Sequence, residues 1–154
     1  MAAASPWSFR PADEADLQFL LALRLQTMTP NFVRQGIAVS GEEHRQRAEF
    51  RLDACRIVER DGNDIGMLKV LQDGSTWTIE QLQIASGHQG SGIGAAVLGT
   101  VIADARAAGA LLRLSVLKQN PAARLYARLG FRTLGESANS YKMTFIETEA
   151  PAGE

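Results

Sequence analysis

Cysteine and histidine are scarce in this chain. Cys55 is the only cysteine among 154 residues, and there are two histidines. An internal disulfide is therefore excluded, and the spacing of these residues matches no structural zinc site. We expect Cys55 to be a small core residue at the start of a strand, and we expect the protein to hold no metal.

An excess of charge of either sign is missing as well. The chain has 16 Lys and Arg against 17 Asp and Glu, which gives a net charge of −1 at pH 7. Without a basic stripe, a protein has little to displace counterions from nucleic acid. We therefore expect no nucleic-acid partner.

Long apolar runs are also missing. No run approaches the roughly 20 residues that a membrane-spanning helix requires, and Met1–Ala4 is too short and too uncharged for a signal peptide. We expect a cytoplasmic protein with no membrane partner. The final segment, Glu147–Glu154, contains Pro151 and Gly153 without periodicity, which predicts a flexible tail after a single domain at residues 1–146.

The rest of the chain alternates between the periodicities of helices and strands. Helices are predicted at Asp13–Met28, Gly41–Asp53, Ile93–Ala108 and Asn120–Leu129, and strands at Arg56–Glu59, Ile65–Leu71, Trp77–Ile84, Leu111–Leu117, Phe131–Gly135 and Tyr141–Ile146. Pro30 is expected to end the first helix, and Asn31–Ser40 to form a loop. The apolar run Leu111–Leu117 predicts a central strand covered on both faces. With one further strand before the first helix, the order β–α–α–β–β–β–α–β–α–β–β indicates one mixed α/β domain.

A glycine-rich segment, Gln89–Ala95, lies between a predicted strand and a predicted helix and is called the glycine loop below. Unpaired N–H groups at a helix N-terminus bind anions, and glycine lets the backbone approach a phosphate closely. A Rossmann loop would need a third glycine where Val97 stands, and a P-loop would need Gly-Lys-Ser/Thr. The loop therefore fits a diphosphate site of another kind, but on this segment alone a plain flexible glycine turn is the favoured interpretation.

A second motif runs from Asn120 to Phe131. Asn120 is a good N-cap, Pro121 suits the first helical position, and Gly130 suits the C-terminal end. The predicted buried stripe consists of Ala122, Leu125 and Leu129. Tyr126 falls beside this stripe, so its ring can be buried while its hydroxyl reaches a cleft.

In this order and spacing, the two segments resemble the motifs of the GNAT superfamily of N-acetyltransferases. The family's cofactor motif is Gln or Arg, two residues, Gly, one residue, then Gly or Ala, and it is matched by Gln89, Gly92 and Gly94. The later motif is matched by Asn120, Ala122, Ala123, Leu125, Tyr126, Leu129, Gly130 and Phe131. The resemblance covers roughly Ile65–Phe145 and departs at Ser86, where the family often has proline.

The resemblance implies a mixed, mostly antiparallel sheet of six to seven strands with about four helices, splayed at its central strands. It also implies acetyl-coenzyme A as acetyl donor. The residues expected to hold the diphosphate are Gln89, Gly90, Ser91, Gly92, Ile93, Gly94 and Ala95. Backbone groups of Leu82, Gln83 and Ile84 would pair with the pantetheine arm, and Asn120 and Ala123 would line it. For Asn120, a plain N-cap role stays open.

Two residues are candidates for the chemistry. The resemblance matches Tyr126 to the family's usual general acid, and a phenol with a pKa near ~10 stays protonated at neutral pH. Glu80 is the candidate general base, because it is expected to alternate with Thr78, Leu82 and Ile84 on a strand beside a partly desolvated site. A hydrogen-bonded strand glutamate without a catalytic role is the alternative for Glu80.

The acceptor is expected between the first two helices and the final hairpin. Arg24 could bind an acceptor carboxylate there, or extend from the edge of the core into solvent, and Tyr141 could reach the pocket from the hairpin. The predicted activity is transfer of an acetyl group to a primary amine of a small molecule or to a peptide or protein amino group, by a monomer or homodimer. A non-catalytic acyl-coenzyme A sensor and an interaction module with a vestigial loop are the alternatives.

Overall fold

The computed structural model of the chain describes residues 6–147. Its strands are β1 (Trp7–Pro11), β2 (Cys55–Arg60), β3 (Asn63–Asp73), β4 (Thr76–Ile84), β5 (Leu111–Leu117), β6 (Phe131–Glu136) and β7 (Ser140–Phe145). Its helices are α1 (Leu17–Gln35), α2 (Gly41–Glu49), α3 (Ile93–Ala108) and α4 (Ala122–Leu129). Within these residues the strands form one sheet in the order β1-β2-β3-β4-β5-β7-β6, where β4 and β5 are the parallel pair. The predicted fold class is confirmed, while the predicted tail lies, apart from Glu147, outside the described residues.

Each face of the sheet carries its own hydrophobic core. Under α1 and α2 the core consists of Leu20, Leu23, Ala48, Cys55, Ile57 and Met67. Under α3 and α4 a larger core includes Val58, Leu68, Val101, Leu114 and Phe131. Burial raises the pKa of the Cys55 thiol to about 11, so the thiol stays protonated at neutral pH and serves packing rather than nucleophilic chemistry.

The sheet opens between β4 and β5. These strands pair only from Thr76 opposite Leu111 to Ile79 opposite Leu114, whereas β4 continues to Ile84. Beyond that point β4 keeps β3 as its neighbour and β5 keeps β7. The predicted splay of the central strands is therefore present as a wedge-shaped gap, called the β4–β5 gap below.

A β-bulge lies at the point where this gap begins. On β3, Lys69 is opposite Gln81 and the next residue, Val70, is opposite Ile79. Glu80 is thus an extra residue on β4 with nothing directly opposite it. A bulge of this kind disturbs the alternation of side chains along the strand.

The bulge changes which face of β4 each side chain occupies. Ile79, Leu82 and Ile84 all pack in the core under α3 and α4. The β4 residues that face this core are therefore odd-numbered before Glu80 and even-numbered after it. The prediction that Glu80 alternates with Thr78 on the face of Leu82 and Ile84 is therefore wrong. Hydrophobic spacing alone carries no signal for one inserted residue.

Helix α1 is longer than predicted. Pro30 does not end it, and Asn31–Ser40 is not wholly a loop, because α1 continues to Gln35. The proline leaves the carbonyl of Gln26 without its helical partner but does not break the helix. The end comes at Gly36, whose φ of 72° is left-handed and whose N–H donates to the carbonyl of Val33.

Helix α2 is shorter than the predicted span Gly41–Asp53, because a buried lysine caps its C-terminal end. Lys69, on β3, is 0% exposed. Its ammonium donates to the carbonyl oxygens of Arg47, Ala48 and Phe50. The Lys69 ammonium therefore supplies hydrogen bonds to carbonyl groups that have no partner within the helix, and its charge lies at the negative end of the helix dipole.

Strand β5 is covered on one face only, so the prediction of two covered faces is wrong. The residues facing α3 and α4 are buried, namely Leu112, Leu114 and Val116. Their neighbours Leu111, Arg113 and Ser115 are exposed. The physical reason is that the core under α1 and α2 is built on β2 and β3 and does not extend over β5.

Candidate active site

A cavity of about 760 Å³ lies along the β4 side of the β4–β5 gap. Helix α1 lines it with Gln26, Thr27, Met28, Pro30, Asn31 and Arg34. Strand β4 and the loop after it contribute Leu82, Gln83, Ile84, Ser86, Gln89, Gly90, Gly92, Gly94 and Ala95. The α4 region contributes Asn120, Pro121, Ala122, Leu125, Tyr126 and Arg128. Because α1 and α4 lie on opposite faces of the sheet, the cavity passes through the gap from one face to the other.

The glycine loop leads into the N-terminus of α3. Gly90 and Gly92 have φ values of 79° and 85°, which favour glycine. The first turn of α3 contains no acidic residue. Since the first N–H groups of a helix have no helical partner, those of Ile93, Gly94 and Ala95 form an anion site suited to a phosphate.

Two side chains of the loop bind nearby backbone. The Gln89 Nε2 donates to the carbonyl oxygen of Ile84 at 2.8 Å, and the Ser91 hydroxyl donates to the carbonyl oxygen of His88 at 2.6 Å. The first bond ties the loop to the end of β4, and the second fixes the turn. These side chains therefore hold the loop in shape for its backbone to bind an anion.

The open edge of β4 presents backbone groups to the gap. The Ala85 N–H donates to the Ile65 carbonyl on β3 at 2.8 Å. In an antiparallel ladder, alternate residues point their backbone groups toward the partner, so Gln83 also faces β3. Leu82 and Ile84 then point theirs toward the gap. A ligand in the gap can pair with Leu82 and with the Ile84 N–H, while the Gln83 backbone is already used and the Ile84 carbonyl accepts the bond from Gln89.

Asn120 acts as the cap of α4. Its side-chain oxygen accepts a hydrogen bond from the Ala122 N–H at 2.9 Å, and its carbonyl accepts one from the Ala123 N–H. The side chain thus binds the first turn of α4 as a cap would, although the helix begins at Ala122 and Pro121 holds the position directly before it. Asn120 also lines the cavity, where its side-chain amide nitrogen is a further donor.

Tyr126 is the most deeply buried residue of α4, at 6% exposure. The predicted stripe residues Ala122, Leu125 and Leu129 are only partly buried, so Tyr126 lies within the stripe rather than beside it. Its ring contacts Phe131 edge-on at 5.8 Å. Burial raises the pKa of its hydroxyl to about 12, so the phenol is a proton donor across the neutral range.

Arg24 is engaged inside the core rather than at the cavity. It is 5% exposed, and its Nε donates to His44 Nδ1 at 3.0 Å. Burial, and to a smaller extent the charge of Arg47, lower the pKa of the guanidinium to about 10 against the opposing charge of Glu80, which leaves Arg24 charged at neutral pH. Helices α1 and α2 are joined by this bond.

Glu80 lies on the same side of the sheet as these groups. Its charge favours the protonated forms of both Arg24 and Lys69, although burial is the larger influence and lowers the pKa of each. The Glu80 side chain is half-buried, and it is not part of the cavity wall. The candidate base and Tyr126 therefore come from opposite faces of the sheet.

The Arg24–His44 contact makes a testable prediction about acid stability. An ordinary histidine titrates near 6.5, and the pKa of His44 is lowered first by burial and then by the Arg24 charge, with Glu43 opposing. Below about pH 6.5 the unfolded chain therefore binds more protons than the folded one. We expect the free energy of unfolding to fall as the pH drops through this range until the folded pKa is passed.

The measurement is urea denaturation at about pH 7.5 and about pH 5.5, on either side of the ordinary histidine pKa. The variant His44→Gln should lose part of the pH dependence, and His88→Gln should retain it. An identical pH dependence in His44→Gln and the native chain would contradict the assignment.

The cavity brings together most but not all of the residues singled out in the sequence. Those that line it are Leu82, Gln83, Ile84, Gln89, Gly90, Gly92, Gly94, Ala95, Asn120 and Tyr126. Those outside its wall are Glu80, Ser91, Ile93, Ala123, Arg24 and Tyr141. Sequence reasoning missed the contribution of α1 beyond Met28 and that of Arg128. The signal that would have extended α1 is Gly36, a typical helix end six residues after Pro30.

Residues 6–147 contain no group of three or more His, Cys, Asp or Glu side chains placed to hold a metal ion. In the same part of the chain, the helices are too short or too polar to span a bilayer.

Comparison with known proteins gives one family and many similar structures. The family model described as an acetyltransferase (GNAT) domain matches residues 52–133. A comparison with curated proteins found no match.

Three solved structures illustrate the similarity. The PaiA N-acetyltransferase of Thermoplasma acidophilum, in complex with coenzyme A, is 16% identical with a TM-score of 0.72, covering 90% of this chain and 98% of its own. The ribosomal-protein-S18-alanine N-acetyltransferase of Escherichia coli is 16% identical with a TM-score of 0.70, covering 97% and 99%. The N-acetylglutamate synthase of Neisseria gonorrhoeae, complexed with coenzyme A and N-acetyl-glutamate, is 22% identical with a TM-score of 0.66, covering 95% and 37%. At these identities the likeness establishes a shared fold.

Proposed function

The chain belongs to the GNAT family of acetyltransferases, and from this we propose that it transfers an acetyl group from acetyl-coenzyme A to a primary amine. One observation carries the proposal. A single cavity beside the β4–β5 gap is lined both by the anion site at the N-terminus of α3 and by the buried hydroxyl-bearing residue Tyr126. A protein that only bound the cofactor would have no need for a buried phenol in that position.

The residues present fit the donor in three places. The diphosphate matches the N–H groups that follow Gly92, in a loop whose shape requires glycine. The pantetheine arm contains amides, and Leu82 and Ile84 offer backbone groups along the open edge. Two of the similar structures are complexes with coenzyme A, which supports the same donor.

The chemistry joins two substrates without a covalent enzyme intermediate. The neutral amine nitrogen attacks the thioester carbonyl carbon, a carbon–nitrogen bond forms and the carbon–sulfur bond breaks. Tyr126 donates its proton to the departing sulfur, and we propose that Glu80 accepts the proton of the amine through water. The gap holds both substrates in one orientation, which removes much of the entropic cost of a bimolecular reaction.

The fold alone does not identify the acceptor. Among the similar structures, one is named as a synthase of N-acetylglutamate and another as an acetyltransferase of a ribosomal-protein alanine. The test of the proposal is release of coenzyme A thiol from acetyl-coenzyme A, measured with amino acids, polyamines, aminoglycosides and peptide N-termini as acceptors. Thiol release with none of these, despite stabilisation of the chain by acetyl-coenzyme A, would favour a binding or sensing domain instead.

The glycine loop provides a second test. Gly92 has a left-handed backbone conformation, which costs a residue with a Cβ about 1–2 kcal/mol. The substitution Gly92→Ala should therefore strain the loop. We expect weaker binding of acetyl-coenzyme A and a smaller rise of melting temperature with ligand. The matched control is Gly99→Ala, because Gly99 is inside α3, where a Cβ has open space and alanine should stabilise the helix by about 0.5–1 kcal/mol. Equal ligand response in both variants would argue against an anion site here.

A further inference from the structure

The part of the cavity formed by α1 carries information about the acceptor. Among the described residues that line the cavity, the ionisable side chains with a full charge are Arg34 and Arg128, and no Asp or Glu is present. The N-terminus of α3 adds partial positive charge. A polycationic acceptor would meet repulsion in this environment, while an anionic group would be attracted.

The two arginines belong to different ends of the cavity. Arg128 follows Leu125 on α4, and Leu125 lies against the glycine loop, 3.5 Å from where a Cβ on Gly94 would be. Arg34 is on α1, on the opposite face of the sheet. The positive charge at Arg34 is therefore separate from the anion site that suits the donor.

The guanidinium of Arg34 is positioned by its neighbours and keeps donors free. Its Nε donates to the carbonyl oxygen of Gln119 at 3.4 Å, and its Nη2 donates to the side-chain oxygen of Asn31. Asn31 is itself 5% exposed. An arginine has five N–H donors, so three remain, and none of the ion pairs formed among residues 6–147 uses Arg34.

Near Arg34, helix α1 is also connected to the loop before α4. Besides the Arg34 bond to Gln119, the Gln119 N–H donates to the side-chain oxygen of Gln35 at 2.9 Å. Two hydrogen bonds thus connect the end of α1 to the loop before α4, and the guanidinium itself makes one of them. The end of α1 that carries Arg34 is therefore fixed to the loop that precedes Asn120.

Resting on the proposed acetyl transfer, we propose that the acceptor is a small amine that carries a carboxylate, such as a free α-amino acid. Arg34 binds the carboxylate, and the amine is directed toward the β4–β5 gap and the thioester. Paired N–H donors of a guanidinium match the two oxygens of a carboxylate, and such charge-assisted pairs are among the stronger hydrogen bonds. The sequence suggested Arg24 as the residue that binds the acceptor carboxylate. We assign this role instead to Arg34, ten residues later on α1.

The experiment measures thiol release with matched acceptors. Each α-amino acid is compared with its carboxamide and with the corresponding decarboxylated amine, and a polyamine and a tetrapeptide complete the set. We expect kcat/KM for at least one amino acid to exceed that for its carboxamide by about 10- to 100-fold, the range given by a hydrogen bond to a charged group. In Arg34→Gln this preference should vanish through a higher KM for the amino acid, and Arg34→Lys should restore part of it.

The control is Arg124→Gln, an exposed arginine on α4 outside the cavity wall, which should keep the preference. A better turnover of the carboxamide, polyamine or peptide than of every amino acid would overturn the inference while leaving acetyl transfer intact. The same holds if Arg34→Gln raises the KM of acetyl-coenzyme A instead, because Arg34 would then serve the donor's phosphates. Absence of thiol release with every acceptor would overturn the proposed function and this inference with it.

Discussion

Tyr126→Phe is expected to lower kcat by about 10²- to 10⁴-fold, the usual contribution of general acid catalysis. The thiolate of coenzyme A must gain a proton as it leaves, and Tyr126 is the buried donor in the wall of the cavity. Phenylalanine keeps the ring and its contact with Phe131. Affinity for acetyl-coenzyme A should therefore change by less than about fivefold, the value of one neutral hydrogen bond.

Two controls separate this role from packing. Tyr141→Phe removes the same hydroxyl from the other tyrosine, which lies outside the cavity wall, and should leave kcat near the native value. Burial raises the pKa of Tyr126 to about 12, so native turnover should not fall through about pH 10, where an ordinary phenol ionises. A native-like kcat for Tyr126→Phe would remove the general acid from the mechanism.

Glu80 is tested in the same assay. If it accepts the amine proton, Glu80→Gln should lower kcat/KM most at neutral pH, with partial recovery at higher pH, where more of the acceptor is already neutral. Because Glu80 is close to the buried cations Arg24 and Lys69, the melting temperature of the variant has to be measured alongside. A loss of activity that follows only the melting temperature would assign Glu80 a structural role.

The largest expected loss of stability comes from Lys69→Met. The lysine is fully buried, and its ammonium bonds to three carbonyls at the end of α2. Methionine fills similar space but leaves those acceptors without a donor, and we expect a loss of about 3 kcal/mol, as for other broken buried charge networks. This corresponds to a fall in melting temperature of roughly 6–12 °C for a chain of this size.

Two further variants serve as comparisons for the stability loss of Lys69→Met. Gln81→Leu removes a single bond to the same helix end, from Gln81 Nε2 to the carbonyl oxygen of Arg47 at 3.0 Å, and should cost about 1 kcal/mol. Lys142→Met changes an exposed lysine and should stay within about 0.5 kcal/mol of the native chain. If Lys69→Met unfolds no more easily than Lys142→Met, the capping of α2 by Lys69 is energetically unimportant.

The features that the sequence predicts well are local. The glycine loop and the cap at Asn120 each depend on a few adjacent residues whose backbone preferences are strong. Helix α3 and strand β5 have the predicted bounds, Ile93–Ala108 and Leu111–Leu117. The fold class followed from the family resemblance, which combined two such local motifs at the right separation.

The features that the sequence did not reveal depend on distant contacts. Pro30 normally disfavours a helix interior by about 3 kcal/mol, and only the packing of α1 over the gap explains why the helix continues. The bulge at Glu80 arises from the pairing of β3 with β4, which no periodicity encodes. Lys69 looks like a surface residue in the sequence, and its burial requires the end of α2 to lie above it.

The short ladder between β4 and β5 has a mechanical consequence. The part of the sheet before the gap and the part after it share only four residue pairs, and the core under α1 and α2 is confined to the first part. Away from this ladder, the two parts are held together mainly by the common core under α3 and α4, which contains residues of both. The hydrogen bonds that join Gln119 to Arg34 and Gln35 add a second connection, because they tie α1 on the first part to the loop after β5 on the second part.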